Sequence, residues 1–213
     1  MGCQQSTPGP AEKGNWLLYE HGPPLKRPLS SMLPPKHKGE TYEFDMKTNA
    51  WDNESTIHEL GLKFRPIDNQ HCALLQSRTE ELLVVLKVVP AGKIHICSVT
   101  PATRKQASCG TYQDCALYKW ATVMKCRAIN QFQMTTAKAD GRARYKSVSS
   151  KRRIVLKRKG RPCASMDKSR YDQYKCRISP GIDPVLVVSY VASLDKVNDR
   201  DMKTGPAGYT VMY

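Results

Sequence analysis

No stretch of this 213-residue sequence approaches the roughly 20 consecutive apolar residues that a membrane-spanning helix needs, so any attachment to a bilayer is expected to be made without crossing it. Gly-x-Ser-x-Gly, a phosphate-binding glycine loop, His-Glu-x-x-His and a Cys-His-Asp set are all missing, which leaves an enzyme as the weakest functional class. There is no Cys-x-x-Cys. The eight cysteines, at 3, 72, 97, 109, 115, 126, 163 and 176, show no paired spacing with the five histidines, so neither a zinc site nor a cofactor is expected. No secretory signal peptide is recognisable, and the thiols are expected to be reduced and mostly buried. His71-Cys72 are read as structural. Asp114, Asp183 and Asp195 are read as loop and helix-end residues, with Asp195 pairing Lys196 or Arg200 or answering a buried donor.

Acidic residues are also few, 19 against 34 Lys and Arg, for a net charge of +15. Such an excess favours an anionic partner: lipid headgroups, nucleic acid or acidic protein. The excess is local. Between Lys138 and Arg177 fifteen cations face three aspartates, a net +12, leaving +3 for the remainder.

Two regions follow from composition. Residues 1–38 hold seven of the fourteen prolines and little apolar periodicity, the mark of an extended or flexible tail. An island at Trp16-Leu17-Leu18-Tyr19 either docks on the domain or dips into a membrane interface. The tail opens Met1-Gly2-Cys3-Gln4-Gln5-Ser6, which fits the signal for myristoylation of Gly2, with Cys3 as a neighbouring site for thioacylation. One myristoyl chain binds bilayers with a partition constant of only about 10⁴ M⁻¹, so a second signal is needed for stable anchoring. The plain alternative is that Gly2 is a small residue following the initiator by chance.

Residues 39–213 read as a single, mainly β domain that is monomeric. Tyr42, Phe44 and Met46 alternate; Leu82 to Val89 is a run that fits a strand buried on both faces; Pro90-Ala91-Gly92 turns into Lys93 to Val99. Further strands are expected at Tyr118–Ala128, Gln131–Thr136, Arg142–Val148, Arg152–Lys157 and Tyr171–Ile178, a spacing that suggests a barrel or sandwich. One segment departs from this pattern. Asp183-Pro184 is a good helix start, an acceptor at the N-cap and proline in the first turn, and Val185 to Val197 is apolar almost all round. Such a helix, with Val185, Leu186, Val188, Val191 and Leu194 among its core residues, belongs in a protein interior or a membrane. At about 1.5 Å per residue it would reach about 21 Å, short of a roughly 30 Å hydrocarbon core, so burial in protein is expected. Two buried strands are the alternative.

A β-rich chain ending in Gly181-Ile182-Asp183-Pro184-Val185-Leu186-Val187-Val188 and then Leu194-Asp195-Lys196-Val197-Asn198 resembles the tubby C-terminal-like superfamily, which includes LURP-one-related proteins and phospholipid scramblases. The resemblance implies a closed antiparallel β-barrel of about twelve strands with the apolar helix through its core. It also implies binding of phosphoinositide-like lipids by Lys and Arg on neighbouring strands, or scramblase-like lipid transport. There is no acidic loop rich enough for the calcium site that scramblases would need.

The densest basic stretch, Lys151-Arg152-Arg153-Ile154-Val155-Leu156-Lys157-Arg158-Lys159-Gly160-Arg161, surrounds an apolar triplet. Strand alternation puts Arg152, Ile154 and Leu156 on one face and Lys151, Arg153, Lys157 and Lys159 on the other. Each cation near an anionic leaflet contributes about 1 kcal/mol, so Lys151, Arg152, Arg153, Lys157, Arg158, Lys159 and Arg161 form a candidate second anchor on anionic membrane lipids, at the cytoplasmic face. Phosphate on the adjacent Ser147, Ser149 or Ser150 would oppose it. The same cations, with Tyr145, Tyr171 and Tyr174 for stacking, would serve a nucleic-acid face, a reading ranked behind the membrane. A solvated face without ligand is the third reading.

Overall fold

The computed structural model describes residues 41–47, 50–101, 106–126, 131–136, 144–149, 153–169, 173–180 and 182–203. Gly2, Cys3, the Trp16–Tyr19 island and the whole 1–38 tail lie outside the described residues, as do Lys151, Arg152, Ser150 and Tyr171.

Among the described residues thirteen antiparallel strands precede one long helix. They are β1 (Tyr42–Lys47), β2 (Ser55–Ile57), β3 (Leu62–Pro66), β4 (His71–Gln76), β5 (Leu82–Val89), β6 (Lys93–Ser98), β7 (Gly110–Tyr112), β8 (Cys115–Cys126), β9 (Gln131–Thr136), β10 (Arg144–Ser149), β11 (Arg153–Arg158), β12 (Arg161–Lys168) and β13 (Gln173–Ile178). The helix, α1, spans Pro184–Lys203. Twelve strands follow one another in the order β1-β13-β12-β11-β10-β9-β8-β6-β5-β4-β3-β2, and the two ends of this path, β1 and β2, lie side by side, so the sheet is a nearly closed barrel. β7 stands apart and pairs only with β8.

Alternation explains most of the strands. Phe44 and Met46 of β1, Phe132 and Met134 of β9, and Tyr174, Cys176 and Ile178 of β13 point inward, while the residues between them meet solvent or half-buried surroundings. β5 is buried on both faces for a specific reason. Val84, Leu86 and Val88 join the barrel interior, whereas Val85 belongs to a separate outer cluster with Cys97 and Leu117, packed by Leu82, Val99, Cys109 and Tyr112. The segment carrying Cys109 and β7 thus folds over the outside of β5, β6 and β8.

The barrel is filled by α1. Val185, Leu186, Val187, Val188, Tyr190, Val191, Ala192 and Leu194 are all buried, and the helix packs against β5, β6 and β8. Asp183 caps it as expected: Oδ1 accepts from Val185 N at 2.9 Å and from Leu186 N at 3.4 Å. Trp51 Nε1 donates to Ala192 O at 2.8 Å, tying the turn after β1 to the helix backbone. The expected helix ended at Val197; the observed one continues to Lys203. The apolar run that marked the helix in the sequence ends at Val197, and the residues after it, Asn198 to Lys203, are mostly polar.

Two further expectations are corrected inside the barrel. Tyr145 and Tyr174 are buried, so neither is available to stack on a base, and the Tyr174 hydroxyl donates to Asp195 Oδ1 at 3.0 Å. Asp195 therefore answers a buried donor, and with α1 running to Lys203 it stands in mid-helix, not near the C-terminus. Ser147 is also buried, and a phosphate there would require β10 to leave the barrel.

Candidate functional site

Strand register distinguishes two rows of cations on the outer surface. Across β11, β12, β13 and β1 one row reads Arg153, Asp167, Lys175, Asp45, alternating in charge from strand to strand. Arg153 Nε lies 3.4 Å from Asp167 Oδ1 in this row, and in the neighbouring one Arg177 Nε lies 3.1 Å from Glu43 Oε1. Arg153 and Arg177 each meet an acid where they stand. Opposite charges paired across strands contribute roughly 0.2–1 kcal/mol each, so the arrangement is sufficiently explained by the fold.

The other row runs the opposite way around the barrel. Met124 of β8 faces Gln133 of β9, Gln133 faces Lys146 of β10, and Lys146 faces Lys157 of β11. No acid pairs with Lys146 or Lys157 among the described residues. Directly opposed residues stand with Cβ atoms about 4.5–5.5 Å apart, where like charges destabilise a sheet. Two ammonium groups at this spacing can converge on one dianionic phosphate, each acting as a point charge.

The β11–β12 turn adds to this row. Arg158 pairs with Arg161, leaving Lys159 and Gly160 as a two-residue loop with φ of 51° and 80°. Such a turn requires both residues in the left-handed region; Gly160 meets this freely, whereas a lysine in the first position is a disfavoured choice that places an ammonium at the tip. Lys159 and Arg161 are exposed, and Lys157 is partly so. Arg158 points elsewhere: its guanidinium carbon lies 5.7 Å from the centroid of the buried Tyr145 ring, on the same face as Leu156.

Of the cations expected to act together, the structure therefore brings Lys157 and Lys159 to one outer end of the β11–β12 hairpin, with Arg161 exposed opposite Arg158. It pairs Arg153 with Asp167 and turns Arg158 toward Tyr145. Lys146 was not among the expected site residues. Its place in an alternating strand was visible, but its partner was not, because strand register across residues 150–152 carries no sequence signal.

The core helix residues Val185, Leu186, Val188, Val191 and Leu194 are buried as filling. Burial pushes the thiols of Cys72 and Cys163 up to about 12, so both are protonated at neutral pH. Cys72 Sγ donates to Ala50 O at 3.2 Å, and His71 Nδ1 lies 2.9 Å from Asp68 Oδ2, which gives the His71-Cys72 pair two separate structural tasks. Among the described residues no three His, Cys, Asp or Glu side chains gather as a metal site, and no helix is long and apolar enough to cross a membrane.

No family model matches this chain, and no curated protein does.

Proposed function

We propose that this chain is a non-enzymatic, lipid-anchored, peripheral membrane protein of the tubby-like kind. Its barrel binds anionic phospholipid headgroups, phosphoinositides in particular, on the cytoplasmic face of a membrane, as a monomeric signalling adaptor. The observation that carries the reading is the opposed pair Lys146 and Lys157, with Lys159 at the hairpin tip beyond it, on a sheet where Arg153 and Arg177 instead meet Asp167 and Glu43. A like-charged pair costs the fold stability, and a bound phosphate removes that cost. Met124, exposed at the end of the same row, supplies apolar contact for the headgroup boundary. Gly2 and Cys3 supply the acyl anchor, and the patch supplies the second signal that one acyl chain needs.

Nucleic acid is the weaker reading of these cations, because the burial of Tyr145 and Tyr174 removes two of the three aromatics that would stack on bases. Among the described residues nothing separately supports scramblase-like transport.

The test is cell fractionation of wild-type protein and Gly2→Ala with myristate labelling on the same samples, alongside sedimentation of full-length protein with vesicles of phosphatidylcholine alone or with phosphatidylinositol bisphosphate. Labelled wild type on membranes, soluble Gly2→Ala, and binding only to the anionic vesicles are expected. Equal binding to neutral vesicles would refute the headgroup reading, and an unlabelled, soluble wild type would refute the anchor.

A further inference from the structure

The outer apolar cluster contains two thiols that the lipid-binding reading does not use. Cys97 lies on β6 and Cys109 immediately precedes β7; their sulfurs are 3.6 Å apart, and neither is in a disulfide. Strand alternation turns the consecutive residues Ile96 and Cys97 to opposite faces, Ile96 into the barrel and Cys97 into the outer cluster with Val85 and Leu117. Cys109 is held over it by its backbone, whose N donates to Leu117 O at 2.8 Å, and its Sγ lies 3.4 Å from the same carbonyl. Both sulfurs are therefore positioned by strands and not by a free loop. Closing from 3.6 Å to the roughly 2.05 Å of a disulfide asks for side-chain rotation of about 1.5 Å, well within what rotamer adjustment supplies.

We propose that Cys97 and Cys109 are a reversible disulfide site, oxidised by hydrogen peroxide, that locks the β7 segment onto the outside of the barrel. Cys109 is the more accessible of the two and meets the oxidant first. Its sulfur takes an oxygen from peroxide, giving a sulfenic acid and releasing one water. The Cys97 sulfur then attacks the Cys109 sulfur, the S–O bond breaks, and the departing hydroxide leaves as water with the Cys97 proton. Two thiols and one hydrogen peroxide thus give one disulfide and two waters. Burial holds Cys97 protonated and Lys87 and Lys119 oppose this, so Cys97 is the slower, resolving partner. Cys115, exposed at the start of β8, faces Tyr112 in the β7–β8 pairing and is the competing thiol.

The experiment treats the full folded chain with equimolar hydrogen peroxide, quenches with acid, alkylates, and digests with trypsin and an enzyme that cuts before aspartate. Cleavage before Asp114 separates Cys109, in residues 106–113, from Cys115, in residues 114–119. A cross-link between residues 94–104 and 106–113, reversed by dithiothreitol, retained in Cys115→Ser and lost in Cys109→Ser, is expected. A cross-link to Cys115, a cross-link that forms only in urea, or overoxidised Cys109 beside reduced Cys97 would each overturn the proposal.

Discussion

Charge reversal at Lys157 separates the lipid-binding reading from a merely solvated basic face, because it should move two observables in opposite directions. Lys157 faces Lys146 across β10 and β11, so Lys157→Glu replaces a like-charged pair by an opposite one. Cross-strand pairs of this kind are worth roughly 0.2–1 kcal/mol, and the swing should raise stability by about 0.5–1 kcal/mol. For a domain of this size that is a rise in melting temperature of about 1–4 °C. At an anionic vesicle the same substitution changes the local charge by two, and at about 1 kcal/mol per charge the loss is about 2 kcal/mol, roughly thirty-fold in affinity. Lys175→Glu is the control. It changes the net charge equally, but Lys175 stands between Asp167 and Asp45, so the variant creates three adjacent acids, lowers stability and leaves the bare row intact. The assay is vesicle sedimentation at fixed salt together with calorimetric melting. The reasoning is refuted if Lys157→Glu binds as wild type does, or if the two variants weaken binding alike, since net charge alone would then explain the attraction.

Four other outcomes follow from the interior and the cysteines. Asp183→Ala removes the acceptor that caps α1 and should cost about 1 kcal/mol in urea unfolding. Leu186→Ala empties a fully buried position and should cost about 2–5 kcal/mol by the same measurement. Burial, reinforced by Lys119, Lys87 and Lys93, holds His95 below its ordinary value, so the unfolded chain takes up its proton first as pH falls. Stability should therefore decline as pH drops through about 6.5 and level off once the folded form is protonated; urea midpoints for His95→Gln between about pH 7.5 and pH 5.5 should change less than wild type. Oxidised protein carrying the Cys97–Cys109 cross-link should unfold up to about 3 kcal/mol later than reduced protein, measured with and without dithiothreitol.

The sequence was most informative where one physical effect dominates. Alternation marked β1, the uninterrupted run marked β5, and Asp183-Pro184 marked the start of α1, because period, burial and capping act within a few neighbouring residues. β12 escaped notice because Pro162 sits second in the strand and removes a ladder donor. The structure accommodates it next to a register shift between Leu156 and Lys157 in the pairing with β11. β2 and β7, three residues each, are too short to show a period, and the buried run Cys72 to Leu75 of β4 alternates no more than a helix segment would. The candidate site was legible as composition and not as geometry. Counting cations located the basic segment, but which of them meet acids depends on pairings between strands. Arg153 beside Asp167 and Lys157 beside Lys146 look alike in the sequence.

The pairing of β1 with β13 has a consequence for how the molecule comes into being. Phe44 lies opposite Cys176, so β1 has no hydrogen-bonded strand partner until nearly all the others have been made, and the helix that fills the barrel is synthesised later still. Pairing the first strand with the thirteenth is a long-range closure, and such topology folds slowly because loop closure must precede any gain from pairing. A ribosome-bound chain stopped before Asp183 would expose the inner faces of β5, β6 and β8 without the segment that covers them. Such a nascent chain is a natural client for a chaperone, and premature termination anywhere upstream of α1 should yield aggregate in place of a smaller barrel.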